Sequence, residues 1–162
     1  MRIVVCGAGK LGYSIAQMLA DEQYDVVVVE NDPKRRDTVQ NNLDVLCIEA
    51  DCCSPSTFEN DDIRGADLLI AATDNDQVNM VTCMLAKKTG TVHTVARIRN
   101  VDYAVNASNL LNIDMKIDLI LNPERITAVE IDRILMKKQY SDAIINGVKA
   151  GAEPYGFDPN IV

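Results

Sequence analysis

A chain of 162 residues that is 48% hydrophobic, with 8 Gly and 5 Pro, has the size and composition of one well-cored globular domain, and two complete domains would be cramped in it. Its formal net charge of −8 opposes non-specific attachment to nucleic acid or to an anionic membrane surface, because both depend on a positive potential. Five Cys, an odd number with Cys52 and Cys53 adjacent, do not read as a disulfide framework and suit a reducing compartment.

The first predicted strand, Arg2 to Cys6, follows Met1 at once and leaves no room for a signal peptide; no window approaches a membrane span. The expectation is a cytoplasmic protein with no direct membrane insertion. The strand runs into Gly7-Ala8-Gly9-Lys10-Leu11-Gly12, a GxGxxG loop that follows a strand and opens a helix. Gly7 permits the tight turn, Gly9 lets a phosphate approach the backbone, and Gly12 lets helix and strand pack closely. The helix N-terminus supplies free N–H groups. Lys10 is a cation placed to meet phosphate, or else a member of a surface ion pair. Beyond the loop, Leu11, Ile15, Met18 and Leu19 recur at the spacing of one buried helical stripe.

The second strand, Asp25 to Glu30, ends on an acid 18 positions after Gly12. That is close to the roughly 20 residues expected for the carboxylate that hydrogen-bonds a ribose diol. Glu30 favours NAD over NADP, since a 2′-phosphate would meet like charge, although Lys34, Arg35 and Arg36 follow closely; its alternative is a solvated strand-end carboxylate. Asp32-Pro33 marks a helix start. The third strand, Asp44 to Glu49, leads to Asp51, which can accept from an adenine amino group. The fourth, Asp67 to Ala71, leads to Thr73 and Asp74 at the carboxyl rim where open α/β sheets bind ligands. For these three a loop cap or turn role is the competing reading.

A second helical stripe, Val78-Val81-Met84-Leu85, precedes the fifth strand, Val92 to Arg97. Arg97 at its end is another cation able to meet phosphate. His93, the only His, lies near the start of that strand and reads as structural. The sixth strand, Lys116 to Leu121, is followed by Asn122-Pro123-Glu124, a second helix-start signal, and a charged amphipathic helix from about Glu124 to Lys138. From Gly147 to Val162 the chain is Gly and Pro rich with little periodicity.

Six continuous apolar runs alternating with helices predict a parallel sheet covered on both faces. The fold class is α/β, a Rossmann-like doubly wound six-stranded sheet in the order 3-2-1-4-5-6 with a C-terminal crossover helix. Residues 1–138 form the domain, and 139–162 are a tail or the remnant of a C-terminal domain. Cys6 and Cys83 read as small buried apolar groups. Cys52 and Cys53 fall near the adenine end, where redox or metal chemistry would lack partner His or spaced Cys pairs. No catalytic set is found.

Taken together, GAGKLG, VVVVE with its following NDPKR, ADLLIAATDNDQVNM, TVARIRNVDY and LILNPERITAVEI resemble the TrkA family N-terminal domain, also called RCK or KTN, from Met1 to about Leu135. The resemblance implies a cytosolic regulatory subunit of Trk/Ktr-type potassium transport, peripheral to the inner face of the plasma membrane through a membrane partner. Such a subunit binds NAD(H) or ATP/ADP and controls a potassium channel or transporter. Carried over residue by residue, Gly7, Gly9, Lys10 and Gly12 would hold phosphates, Glu30 the ribose, Asp51 the adenine side, and Thr73 and Asp74 the crevice, with Leu11, Asn31 and Cys52 also counted as cofactor-binding. Arg97 faces phosphate or a neighbouring subunit. The helix after Pro123 would form a homodimer or a higher ring. The chain departs from the family at Ala50-Asp51-Cys52-Cys53, where members carry Gly-Asp followed by Ala and Thr. Residues 139–162 do not supply the second ligand-binding domain expected after the crossover helix. The alternative function is a small NAD-dependent oxidoreductase, against which stands the missing catalytic set.

Overall fold

The computed structural model describes residues 1–103, 113–126 and 131. The chain divides into two units, residues 1–122 and 123–162. In the first, strands β1 (Arg2–Cys6), β2 (Asp25–Val29), β3 (Leu46–Ile48), β4 (Leu68–Ala71), β5 (His93–Arg97) and β6 (Leu119–Leu121) form one sheet. Its order is β3-β2-β1-β4-β5-β6, and every neighbouring pair is parallel. Helices α1 (Lys10–Asp21), α2 (Pro33–Asn42) and α3 (Asp76–Lys88) and a short 3-10 turn (Pro55–Glu59) fill the connections. This is the doubly wound fold expected from the sequence. In the second unit residues 123–126 are helical, in keeping with the start at Pro123. The remainder of the expected crossover helix to Lys138, residue 131 apart, and the tail at 139–162 lie outside the described residues.

The continuous apolar runs follow from two-sided burial. Along β1, Ile3 and Val5 join Val26 and Val28 of β2 in one cluster, packed with Ala16 of α1 and Val39 of α2. Val4 and Cys6 turn to the other face, with Val27, Val29, Leu69 and Ala71, under Met80, Cys83 and Ala86 of α3 and beside Phe58 and Ile63. Ile3, Val4, Val5 and Cys6 are fully buried, the Val and Ile side chains each stabilising by roughly 1.5–3 kcal/mol. A polar residue on either face would be stranded, so the pattern cannot alternate.

The helical stripes meet the expectation only in part: Ile15 and Leu19 of α1 and Val78 and Leu85 of α3 pack against the core. Helix α1 buries Gly12 and Ala16, while Met18 is exposed; small side chains let the helix axis come close to the sheet. Helix α3 buries Asn79, Met80, Thr82, Cys83 and Ala86 and leaves Val81 and Met84 exposed. Its buried face includes polar groups because they have partners there: Thr82 donates to the Cys52 carbonyl at 3.1 Å, and Asn79 bonds the strand ends. Strand β3 is shorter than predicted, as an edge strand pairing only with β2. Strand β6 begins at Leu119 rather than Lys116, whose φ of 56° lies outside the extended region.

Because β1 leads to β2 on one side while β4 lies on the other, the loops leaving β1 and β4 diverge. A crevice opens between them at the carboxyl rim.

Candidate functional site

The loop leaving β1 is shaped by two glycines that admit no side chain. Gly7 donates its N–H to Val29 at 2.8 Å with φ 94°, and a Cβ there would lie 2.9 Å from Thr73 Cγ2. At Gly12 a Cβ would meet the Gly7 carbonyl oxygen at 1.9 Å. Helix α1 can therefore seat its first turn on the loop only with hydrogen at that position. Gly9 is the N-cap and supplies no side-chain acceptor, which leaves the first-turn N–H groups of Lys10, Leu11 and Gly12 without a side-chain cap. A Cβ on Gly9 would lie 3.5 Å from Arg35 Nη1 and 3.7 Å from Asp74 Oδ2.

Glu30, just past the end of β2, is 4% exposed. Its carboxylate accepts the N–H of Ala8 at 2.7 Å and that of Asp32 at 2.8 Å. These bonds fasten the glycine loop to the entry of α2, where Asp32 caps the helix by accepting from the Arg35 N–H at 2.9 Å. Pro33 takes the first helical position. So anchored, α2 sends Arg35 back over the crevice, its guanidinium 4.0 Å from Glu30 and 3.5 Å from Asp74.

After β3, Asp51 accepts from the Cys53 N–H at 3.0 Å and its carbonyl from Thr57 Oγ1 at 2.7 Å, which makes it the pivot of a turn. Cys52 tucks inward with its Sγ 3.6 Å from the Val29 carbonyl. The hydrogen bond to Asp51, followed by burial, pushes the Cys53 thiol up from its ordinary value. Contact with Cys52 and then burial push Cys6 well above its own, and burial pushes Cys83 up to about 12. These thiols stay protonated and inert at neutral pH. Among the described residues no group of three or more His, Cys, Asp or Glu is placed to hold a metal ion.

The loop after β4 is organised by Asn79, which is fully buried. Its Oδ1 accepts from the Thr73 N–H at 2.9 Å and Thr73 Oγ1 at 2.6 Å, while its Nδ2 donates to the carbonyls of Thr73 at 3.1 Å and Arg97 at 2.8 Å. One side chain thus joins the ends of β4, α3 and β5. Asn75 caps α3, and Asp76 accepts from the N–H of Arg99 at 3.1 Å and of Asn100 at 2.8 Å. Asp74 stands between two guanidinium groups: Arg97 Nη1 donates to Oδ1 at 3.1 Å, and Arg35 approaches Oδ2. Arg99 reaches the Asp74 carbonyl.

The resulting cleft, about 360 Å³, is of small-ligand size. Of the residues singled out in the sequence, Gly7, Glu30, Asn31, Asp51, Cys52, Thr73 and Asp74 line it together. Gly9 lies beside it, near Arg35 and Asp74, whereas exposed Lys10, half-buried Leu11 and buried Gly12 do not line it. Arg97 reaches the cleft through Asp74. Arg35, Cys53, Asn75 and Val78 also line it and were missed. The cap at Asp32-Pro33 fixed the phase of α2 and was the available signal for Arg35; Asn79 had none, since a polar side chain on a helix gives no sign that it is buried. His93, its side chain 68% exposed, sits at the opposite end of the sheet, so the structural reading stands only in keeping it away from the rim. Among the described residues no helix is long and apolar enough to cross a membrane.

The Trk system potassium uptake protein TrkA of Azorhizobium caulinodans is 34% identical over 154 residues, which is 93% of this chain and 33% of that protein. A protein of the same name from Haemophilus influenzae is 31% identical over 83% of this chain and 30% of its own length. The chain thus spans about a third of the length of these relatives. Among solved structures, the TrkA-N domain of the inner membrane protein ybaL from Escherichia coli superposes with a TM-score of 0.71 at 16% identity, covering 83% of this chain and 96% of that one. The GsuK channel bound to NAD gives 0.65 at 14% identity over 77% of this chain and 22% of that one, and GsuK has also been solved bound to ADP. These structural likenesses concern the fold. The model of the TrkA-N domain matches residues 3–123, and the chain belongs to that family.

Proposed function

We propose that the cleft binds a nucleotide through its diphosphate, as NAD(H) or ATP/ADP, and that occupancy controls a potassium channel or transporter. The observation that carries the reading is the Gly7–Gly12 loop: an uncapped helix N-terminus has its N-cap Gly9 beside the lining residues Arg35 and Asp74, and Glu30 fastens the loop to the neighbouring strand end. In this reading the N–H groups of Lys10, Leu11 and Gly12 hold phosphate beside Gly9, with the Lys10 ammonium near. Glu30 has lone pairs left after its two backbone bonds and takes a ribose hydroxyl beside Asn31. Asp51 and Cys52 flank the adenine, and Thr73, Asp74 and Arg97 form the opposite wall. Arg35 joins the set. That GsuK has been solved with NAD and with ADP supports a cleft of this fold accepting either ligand.

The cleft lining contains no His, Lys or Tyr among the described residues, and its Cys53 thiol is pushed up. This supports binding without turnover over a small NAD-dependent oxidoreductase. A ligand alters gating only by binding two states of an assembly with different affinity. The membrane subunit and a homodimer or ring built on the helix after Pro123 belong to that assembly. It would lie on the cytoplasmic side, peripheral to the membrane.

Titration calorimetry tests the first step: affinity for NADH, ADP or ATP is expected, and none at millimolar concentration removes the reading. Hydride transfer to any small carbonyl substrate would restore the oxidoreductase. For the second step, deletion of the gene should change potassium uptake, and co-purification should recover a potassium-transport membrane subunit. Light scattering should give at least a dimer.

A further inference from the structure

Asp74 stands where the most acidic part of a ligand would arrive. Its two carboxylate oxygens lie 3.7 and 3.9 Å from the point where a Cβ on Gly9 would sit, at the N-cap of α1. Arg97 holds one oxygen at 3.1 Å and Arg35 holds the other at 3.5 Å. This carboxylate already plays the part of an anion: it lies by the helix terminus and is shared by both guanidinium groups, offsetting one of their two charges. A phosphate drawn to the same terminus meets a like charge within a few ångströms. Glu30 and Asp51 add two more acids to the lining, against Arg35 in the lining and Arg97 on the far side of Asp74.

The cost of that encounter grows with the charge on the phosphates. A phosphate bridged on two sides carries one negative charge, whereas a terminal phosphate carries about 1.5 to 2 near neutral pH. We propose that Asp74 is a specificity-determining residue that sorts ligands by phosphate charge, favouring dinucleotides, whose two phosphates are each bridged to a ribose and to one another, over nucleotides ending in a terminal phosphate with a single bridge. The inference rests on the nucleotide reading of the cleft. The Asp74 side chain is 61% exposed, so water and salt moderate its field. At separations of about 5–6 Å, one extra ligand charge then corresponds to a change on the order of tenfold in affinity.

The test is calorimetry of the wild type and Asp74→Asn with NADH, ADP and ATP at low and high salt, with Asp74→Ser as a second variant should the first not fold. The wild type should bind NADH most tightly and ATP least. Asp74→Asn should gain about tenfold for ADP, more for ATP and less for NADH, and high salt should shrink these differences. Wild type binding ATP as tightly as NADH, or a variant that shifts all three ligands equally, overturns the role of Asp74 while leaving the nucleotide reading intact. No binding of any of the three to either protein overturns the nucleotide reading, and this inference with it.

Discussion

The carboxylate of Glu30 accepts the Ala8 N–H at 2.7 Å, so the acid at the end of β2 and the glycine loop at the end of β1 form one piece. The same group takes the Asp32 N–H at 2.8 Å, and both bonds are charge-assisted. In Glu30→Gln the amide has one oxygen for two donors, and its NH2 must face one of them. A loss of about 2 kcal/mol in urea unfolding is expected, with weaker binding of every nucleotide because the loop loosens. Unchanged stability would mean that the bonds contribute nothing.

The glycines separate folding from binding. Gly12→Ala forces a methyl group to 1.9 Å from the Gly7 carbonyl oxygen and should cost about 3 kcal/mol or more in urea unfolding. Gly9→Ala adds a methyl at 3.5 Å from a flexible arginine tip, an ordinary contact. It should leave the midpoint nearly unchanged while weakening nucleotide binding about tenfold or more by filling the space a phosphate needs. A Gly9→Ala protein that binds normally would place the phosphate elsewhere.

Asn79 is fully buried and holds two donors and two acceptors at the rim. Asn79→Ala strands the Thr73 N–H and the Arg97 carbonyl and should cost about 3 kcal/mol in denaturant unfolding. Asn79→Asp keeps the shape but cannot donate to the carbonyls of Thr73 and Arg97. It also puts a charge in a dry site, and should be at least as destabilising at neutral pH as the alanine variant.

Asp118, before β6, accepts from the Thr94 N–H at 2.8 Å and from Lys87 Nζ at 2.6 Å. Burial pushes its carboxyl up, but the hydrogen bonds and charge of Lys87 and the Thr94 contacts outweigh burial and hold it below its ordinary value of 3.8. A depressed carboxylate stabilises the folded state above its unfolded pKa and loses that contribution as the pH falls through the folded value. Thermal melts from pH 6 down to pH 2 should therefore fall more steeply for the wild type than for Asp118→Asn, with the two converging at the acid end. Parallel curves would remove Asp118 from the acid response. Since its side chain is 42% exposed, the difference should be small.

The parts of the site that were readable in the sequence are those whose physics is local. Gly7 and Gly12 are glycines because backbone packs against backbone there, and a sharp turn between a strand and a helix announces that need. The Asp32-Pro33 cap likewise involves neighbours in the chain. Of the stripe assigned to α3, Val78 and Leu85 pack against the core but Val81 and Met84 do not, because hydrophobicity marks a buried face only when the face is apolar. Here Asn79 and Thr82 are buried by partners on other elements, Thr73, Arg97 and Cys52, and so displace Val81 and Met84 outward.

The amino-acid sequence by itself determined the sheet and its order, since strands buried on both faces must be continuously apolar and the helices between them force parallel crossovers. It also placed the glycine loop at a strand end. Only the tertiary structure decided what stands around that loop: Glu30 turned inward to hold it, Arg35 brought over it from α2, and Asp74 drawn between Arg35 and Arg97. Those relations join groups from the loop after β1, the end of β2, α2, the loop after β4 and β5, and their energy depends on distance in space.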